Sequence, residues 1–218
     1  MLAVHRFRYE IGARDTNGLA MAEKIELPPP DEVGGMALAL ALGRRRSRRE
    51  FAERALDWRQ IGQLLWAAQG VSDRAEGLRT APSAGALYPL ETDVATASGL
   101  YRYHPAGHTL TLRDLGDVRF KLARAAAGQS WLSSAPCVFC ISAIPSRTTG
   151  KYGNRGARYV QLEAGHAAQN LLLAACALGL DGVPVGAFSD EDLGLALQLT
   201  PGALPLYLIP VGWSGATR

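Results

Sequence analysis

Long apolar runs are what this sequence most plainly lacks. Its most sustained helical stretch of that kind, Asn170 to Leu180, falls well short of the roughly 20 residues a membrane-spanning helix needs, and so excludes an integral helical membrane protein. Cysteine is scarce: three in 218 residues make no disulfide framework and suit a reducing cytoplasm. One-sided charge is missing too, and a net +3 gives no whole-surface attraction for nucleic acid. Near the N-terminus Arg6, Arg8 and Glu10 interrupt what would have to be the apolar core of a secretion signal. Internal repeats and low-complexity blocks are absent. What is present is 48% hydrophobic against 20% charged residues, enough to build a core. The expectation is a soluble, cytoplasmic chain with no membrane or nucleic-acid partner.

Local patterns divide the chain into an extended arm, residues 1–32, and one domain, residues 33–218. The arm ends in LPPPDE, where three consecutive prolines forbid a helix. VGGMALALAL, from Val33 to Leu42, reads as a short apolar helix before the basic run GRRRSRREF. Asp57, with Gln60 three residues on, forms a capping-box signature for WRQIGQLLWAAQ, and Gly70 stops that helix. Ile61, Leu64, Leu65 and Ala68 share its core face. TDVATA alternates as a strand should, and GLYRYHPAGHTLTL reads as a hairpin turning at Pro105–His108, with His104 and His108 in solvent. Asp114 or Asp117 is placed to cap a helix running through Ala127. APCVFCISAI reads as a central strand, on which Cys137 and Cys140 point to opposite faces and serve as small buried hydrophobes. A long helix is expected from about Arg158 to Leu178, apolar nearly all round and therefore buried. Ser189 with Asp192 suggests a second capping box, and LPLYLIPVG a closing strand. Strands interleaved with helices give an α+β layered domain.

Four stretches carry residues suited to chemistry. Arg44, Arg45, Arg46, Ser47, Arg48 and Arg49 read as a solvated basic patch, as a nucleic-acid or localisation signal, or as a cradle in which guanidiniums and a hydroxyl fork onto one phosphate. RTAPSAGALYPLE, Arg79 to Glu91, is stiffened by two prolines and nearly neutral. Its small residues around Ser83 let a flat ligand or a phosphate reach the main chain, although a strand-entry turn has the same composition. Glu163, His166 and Asn170 share one helical face and suit a structural hydrogen-bond network rather than a metal, since no third ligand stands at a suitable spacing. Just ahead, Lys151 and Tyr152 are candidates for moving protons. VPVGAF, Val183 to Phe188, leaves main-chain N–H groups free for a ligand.

In this order, RRSRREF, LLWAAQGVS followed by RTAPSAGALYPLE, KYGNRGARYVQLEAGHAAQN, VPVGAFSDEDL and LPLYLIPVG resemble the FMN-dependent nitroreductase family. The nearer resemblance is to its SagB-type branch, which includes thiazoline/oxazoline dehydrogenases. It covers Val33 to Arg218 and implies a three-layer fold, a mixed, mainly antiparallel sheet flanked by helices, in an interlocked homodimer with FMN at the interface. By position, the resemblance assigns Arg45, Arg46 and Ser47 to the phosphate and ribityl chain, and Arg49 to the pyrimidine side of the ring. Pro82, Ser83, Ala84, Gly85 and Leu87 would come from the partner chain. Pro184, Val185, Gly186 and Ala187 would face the ring edge, and Arg218 would close the phosphate site.

The implied activity is ping-pong transfer from NAD(P)H through FMN to a small-molecule acceptor. The alternative it implies is oxidation of an azoline ring in a modified peptide, with Lys151 and Tyr152 as the catalytic pair. Only 32 residues precede the match, where the azoline enzymes carry a long peptide-binding region, and this weighs against a peptide substrate. A non-catalytic flavin-binding subunit is the third reading.

Overall fold

The computed structural model describes residues 24–215. Its spine is β7 (Cys137–Ala143), in which every residue is buried. A run this apolar, without a polar side to turn outward, fits only between two covered faces. Cys137, Phe139, Ile141 and Ala143 enter one apolar core and Val138 and Cys140 the other. The two thiols are thus parted by the strand as expected, and burial pushes both up from their ordinary values.

On one side β7 pairs with β4 (Leu90–Thr96), followed by β5 (Gly99–His104), β6 (Thr109–Leu115) and β1 (Lys24–Glu26). On the other side lie β9 (Leu204–Trp213) and then β8 (Leu180–Gly182). The seven-stranded order is β1-β6-β5-β4-β7-β9-β8, and every neighbouring pair is antiparallel. A separate ribbon joins β2 (Val71–Asp73) to β3 (Leu78–Arg79). Helices α2 (Trp58–Gln69) and α6 (Arg155–Ala177) cover one face of the large sheet. The other face is covered by α3 (Arg119–Ala125), α4 (Trp131–Ser134) and α7 (Asp190–Ala196). Two more helices, α1 (Leu38–Arg44) and α5 (Ser146–Tyr152), stand beside α6. The result is the expected α+β arrangement of three layers.

Where a signal was local, the fold follows it. Gln60 N–H donates to Asp57 Oδ1 at 2.8 Å while Asp57 N–H donates to Gln60 Oε1 at 3.0 Å, closing the capping box. Gly70 ends α2 for lack of space: a Cβ there would lie 2.2 Å from Trp66 Cδ1.

Other expectations need correction. The first helix starts at Leu38 and not Val33, because Gly34 and Gly35 take φ of 90° and 82°. β4 does not alternate, since Thr92, Asp93, Val94 and Ala95 are all buried between the two helical layers. Asp114 lies inside β6, and it is Asp117 that accepts the Arg119 N–H at 3.0 Å as α3 begins. Only half of the second capping box forms. Ser189 Oγ accepts from Asp192 N–H at 3.2 Å, but the Ser189 N–H donates to Ala125 O. The long helix begins at Arg155 and is not buried all round: Leu162 is 50% exposed, with Gln161 and His166 exposed beside it.

His108 is not in solvent either. Its Nδ1 faces the Tyr103 hydroxyl at 2.9 Å and its Nε2 faces Pro28 O at 3.0 Å, so the hairpin clasps the segment running from β1 into the prolines. Burial lowers the His108 pKa below its ordinary 6.5, against the opposing Pro28 carbonyl. The unfolded chain therefore takes up this proton first, and the clasp's contribution is present above pH 6.5 and lost as pH falls below it. Protection factors of the Lys24 to Leu27 amides, taken relative to the intrinsic exchange rate at each pH, are expected to fall between pH 7.5 and 5.5, and His108→Gln to remove that dependence. Equal protection factors at both values in the wild type would refute the clasp.

Candidate active site

The basic run leaves α1 at Arg45, whose ψ of 125° turns the chain extended. Ser47 then bridges Gly182 of β8, and Arg48 N–H donates to Gly182 O at 3.3 Å. Gly182 itself packs closely on α6 and β9, since a Cβ there would sit 3.1 Å from Leu172 Cδ2 and 3.2 Å from Pro210 O. Between the run and the C-terminal end of α6 opens a cleft of about 300 Å³. Arg44, Arg45, Arg46 and Arg48 line it against Leu172, Cys176 and Gly179 to Gly182, and Asp181 is the one carboxylate among its lining residues. Four guanidiniums against one carboxylate make a site for an anion. Ser47 is exposed and not among the lining residues, and meets Gly182 through its main chain. Arg49 stands apart, its Cζ 5.6 Å from the centre of the Trp131 ring.

The chain continues from Gly182 along the same side. Val185 exchanges two hydrogen bonds with Leu208, at 2.8 and 3.0 Å, and turns its side chain into the core. Alternation then leaves Pro184 and Gly186 exposed, with Ala187 after them, and nothing lies within 4 Å of a Cβ built on Gly186. Pro184, Gly186 and Ala187 are thus the exposed residues of this stretch, while Val185 commits its side chain to the core and both main-chain groups to Leu208.

RTAPSAGALYPLE lies elsewhere. Gly85, Ala86 and Tyr88 take φ of 64°, 52° and 46°, a left-handed run that costs on the order of 1 kcal/mol or more at each non-glycine residue. It persists because the loop is held at many points. Ala86 N–H reaches Ser83 O, Tyr88 N–H reaches Ser83 Oγ, Arg79 N–H reaches the Tyr88 hydroxyl, and Arg147 Nη1 reaches Tyr88 O. A Cβ on Gly85 would meet the Tyr152 hydroxyl at 2.8 Å and Lys151 Nζ at 3.0 Å, so the two proton-moving candidates sit directly on this glycine. Both belong to α5. Pro82 and Gly85 are exposed, while Ser83, Ala84 and Leu87 are half-buried.

From α6, Glu163 and Asn170 support the loop, and His166 does not. Asn170 Nδ2 donates to Thr80 O at 3.2 Å. Glu163 is 3% exposed, and its Oε1 has no hydrogen-bond partner among the described residues. Burial pushes its carboxyl up from the usual value, opposed by the Ser83 hydroxyl, the Arg79 guanidinium and the Gln69 amide. Sequence reasoning placed Arg48 in the basic run and Arg79 at the head of the loop without a separate role, and passed over Gly182 and Arg147. Gly182 had a signal in the Asp-Gly pair before VPVG; Arg147 had none.

Within one chain the candidates fall into two groups. The Tyr152 ring packs 5.2 Å from that of Tyr159, whereas Cys176 lines the basic cleft. Along α6 the seventeen steps from Tyr159 to Cys176 rise about 25 Å. Arg218 lies outside the described residues.

Known proteins share the fold. The profile of the Nitroreductase family matches residues 42–213. Protein MJ1384 of Methanocaldococcus jannaschii, whose name assigns it to the nitroreductases, is 41% identical over 198 residues, covering 88% of this chain and 98% of its own. A crystal structure from Ralstonia eutropha, also named for the nitroreductases, superposes with a TM-score of 0.82 at 30% identity and covers 99% of this chain and 98% of its own. The E. coli microcin synthetase McbBCD complex with truncated pro-MccB17 shares the fold, with a TM-score of 0.69 at 24% identity over 85% of this chain and 75% of that one.

Proposed function

The chain belongs to the nitroreductase family, and on that premise we propose that it is an FMN-dependent oxidoreductase, working as a homodimer, that passes hydride from NAD(P)H to a small organic acceptor in two half-reactions. The observation carrying this reading is the division of the candidate residues between the two ends of α6. A second copy that sets its loop against this chain's basic cleft makes one site from the two halves. Leu38, Leu40 and Leu42 of α1 and Leu162 of α6 are exposed and supply apolar surface for such a contact.

The donor set fits the cofactor. A cleft with four guanidiniums suits its phosphate, and the exposed stretch around Gly186 suits a flat ring. FMN, when bound, supplies a ring that accepts and releases a hydride equivalent, so donor and acceptor can visit in turn. Arg45 and Arg46 hold the phosphate from the cleft. Arg49 places a fixed cation beside the pyrimidine side, where charge is stabilised without reorganisation. Lys151 Nζ and the Tyr152 hydroxyl, over Gly85, hold or move a proton at the exposed edge.

The convergence of Lys151 and Tyr152 on one glycine also favours a second reading, an azoline dehydrogenase in which that pair removes the proton from a peptide heterocycle. The visible absorbance of purified protein, loaded with FMN and then desalted, tests both. Retained flavin bleached anaerobically by NADH or NADPH supports the first reading. Retained flavin that neither nucleotide bleaches turns the reading toward the dehydrogenase or a non-catalytic subunit. In that case Lys151→Ala is expected to abolish azole formation while flavin stays bound. Protein that leaves the column colourless overturns the flavin reading altogether.

A further inference from the structure

We propose a second ligand site, for a small oxyanion, in the cavity behind the loop that carries Ser83 and Gly85. The cavity holds about 220 Å³. Thr92 and Tyr103, from neighbouring strands β4 and β5, line it on the sheet side. Gln69 at the end of α2 and Arg79 at the start of the loop line it on the helix side, and Arg147 and Glu91 complete the wall.

The charge there is unbalanced. Arg79 makes no ion pair among the described residues; its one side-chain hydrogen bond goes to the neutral Gln69 Oε1, at 2.8 Å. Burial lowers its pKa, as expected of a guanidinium taken out of water without a full counter-charge. Glu91 offers no relief, because Arg102 Nη1 and Arg147 Nη2 each hold one of its oxygens at 2.6 Å. Asp93 is likewise held by Arg102 and Arg113. Of the charged groups lining the cavity, Arg79 and Arg147 thus stand against Glu91 alone, whose oxygens are both taken; Glu163, which attracts Arg79 from the α6 side, does not line it.

Hydrogen-bonding capacity is left over as well. Thr92 Oγ1 is buried without a partner among the described residues. The Gln69 amide, by contrast, leans on Glu163 and accepts from Arg79. Buried donors are seldom left unpaired. A hydroxyl and the free N–H groups of Arg79 and Arg147 match the oxygens of a carboxylate or a phosphate. An occupant would also act on the loop, because Arg79 donates its main-chain N–H to the Tyr88 hydroxyl and lays its guanidinium 4.3 Å from that ring.

The test is thermal unfolding in the Arg46→Gln background, which weakens the basic cleft, titrated with sodium acetate or sodium phosphate at ionic strength held constant with chloride. A saturable rise of roughly 3–6 °C at tenfold excess over Kd is expected. Adding Thr92→Val, which keeps the side chain's shape and removes its hydroxyl, should abolish it, as should adding Arg79→Gln. A response to acetate alone assigns a carboxylate, and a response to phosphate alone a phosphate. No saturable rise with either salt overturns the site, and so does a rise that survives Thr92→Val. Flavin content is read separately by absorbance, so failure here leaves the flavin reading standing.

Discussion

Replacing Asp93 with alanine is expected to cost about 3–5 kcal/mol of folding stability, the penalty for leaving buried charges without their partner. The Asp93 side chain has no solvent exposure, and it gathers Arg102 at 2.7 and 2.9 Å and Arg113 at 3.3 Å. Both arginines are themselves only 19% exposed, so water cannot replace the lost carboxylate well. Burial disfavours the charge on Arg102, yet Asp93 and Glu91 outweigh it and raise its pKa. Through Arg102 the network reaches Glu91, and through Glu91 it reaches Arg147 at the start of α5, the helix that carries Lys151 and Tyr152. The loss should therefore loosen α5 as well as the sheet. In a domain of this size the melting temperature would fall by roughly 6–20 °C. Glu26→Ala is the control. It breaks the Lys24–Glu26 pair, whose side chains are 60% and 70% exposed, and should change stability by less than about 1 kcal/mol. Urea midpoints for the two variants settle the matter, and equal small losses would refute the keystone role of Asp93.

The second large effect is on flavin affinity. Arg45→Ala combined with Arg46→Ala removes two of the four guanidiniums lining the cleft. Each charge-assisted hydrogen bond to a phosphate contributes about 1.5–3 kcal/mol, so the pair should weaken FMN binding by roughly 10²- to 10⁴-fold. Lysine at both positions should recover only part of this, because an ammonium restores the charge without the planar fork. Quenching of flavin fluorescence on titration gives the number directly. A double variant that binds FMN as the wild type does would move the phosphate away from this cleft and undo the assignment of the basic run.

Much of the fold was legible in the sequence, for identifiable reasons. β7 announces itself because a strand covered on both faces must be overwhelmingly apolar, and in APCVFCISAI only Ser142 carries a hydroxyl. The Asp57–Gln60 box lies within four residues and needs nothing distant to form. Helix α5 was missed because SRTTGKY carries no apolar stripe; its position is imposed by Gly156, where a Cβ would meet the main chain of Thr149 at 2.8 Å. β8 was missed because three residues, LDG, become a strand only through pairing with β9. The same limit applies to the site. The arginine run and the Ser83–Leu87 loop could be recognised as stretches, but their separation along α6 could not, since it is a property of packing. Thr92, Gln69 and Arg79 meet around one cavity from different elements, and nothing local marks them as neighbours.

The place of β9 has a consequence for biosynthesis. Among the described strands it is the last to be made, yet it lies inside the sheet between β7 and β8. Until residues 204–213 have left the ribosome, the nascent chain holds a strand destined for full burial, with one edge unpaired. Such an edge is a template for the next chain on the same message. For substitutions in Leu204–Trp213, the yield of soluble product is then the quantity that changes first, ahead of the stability of the molecules that finish folding.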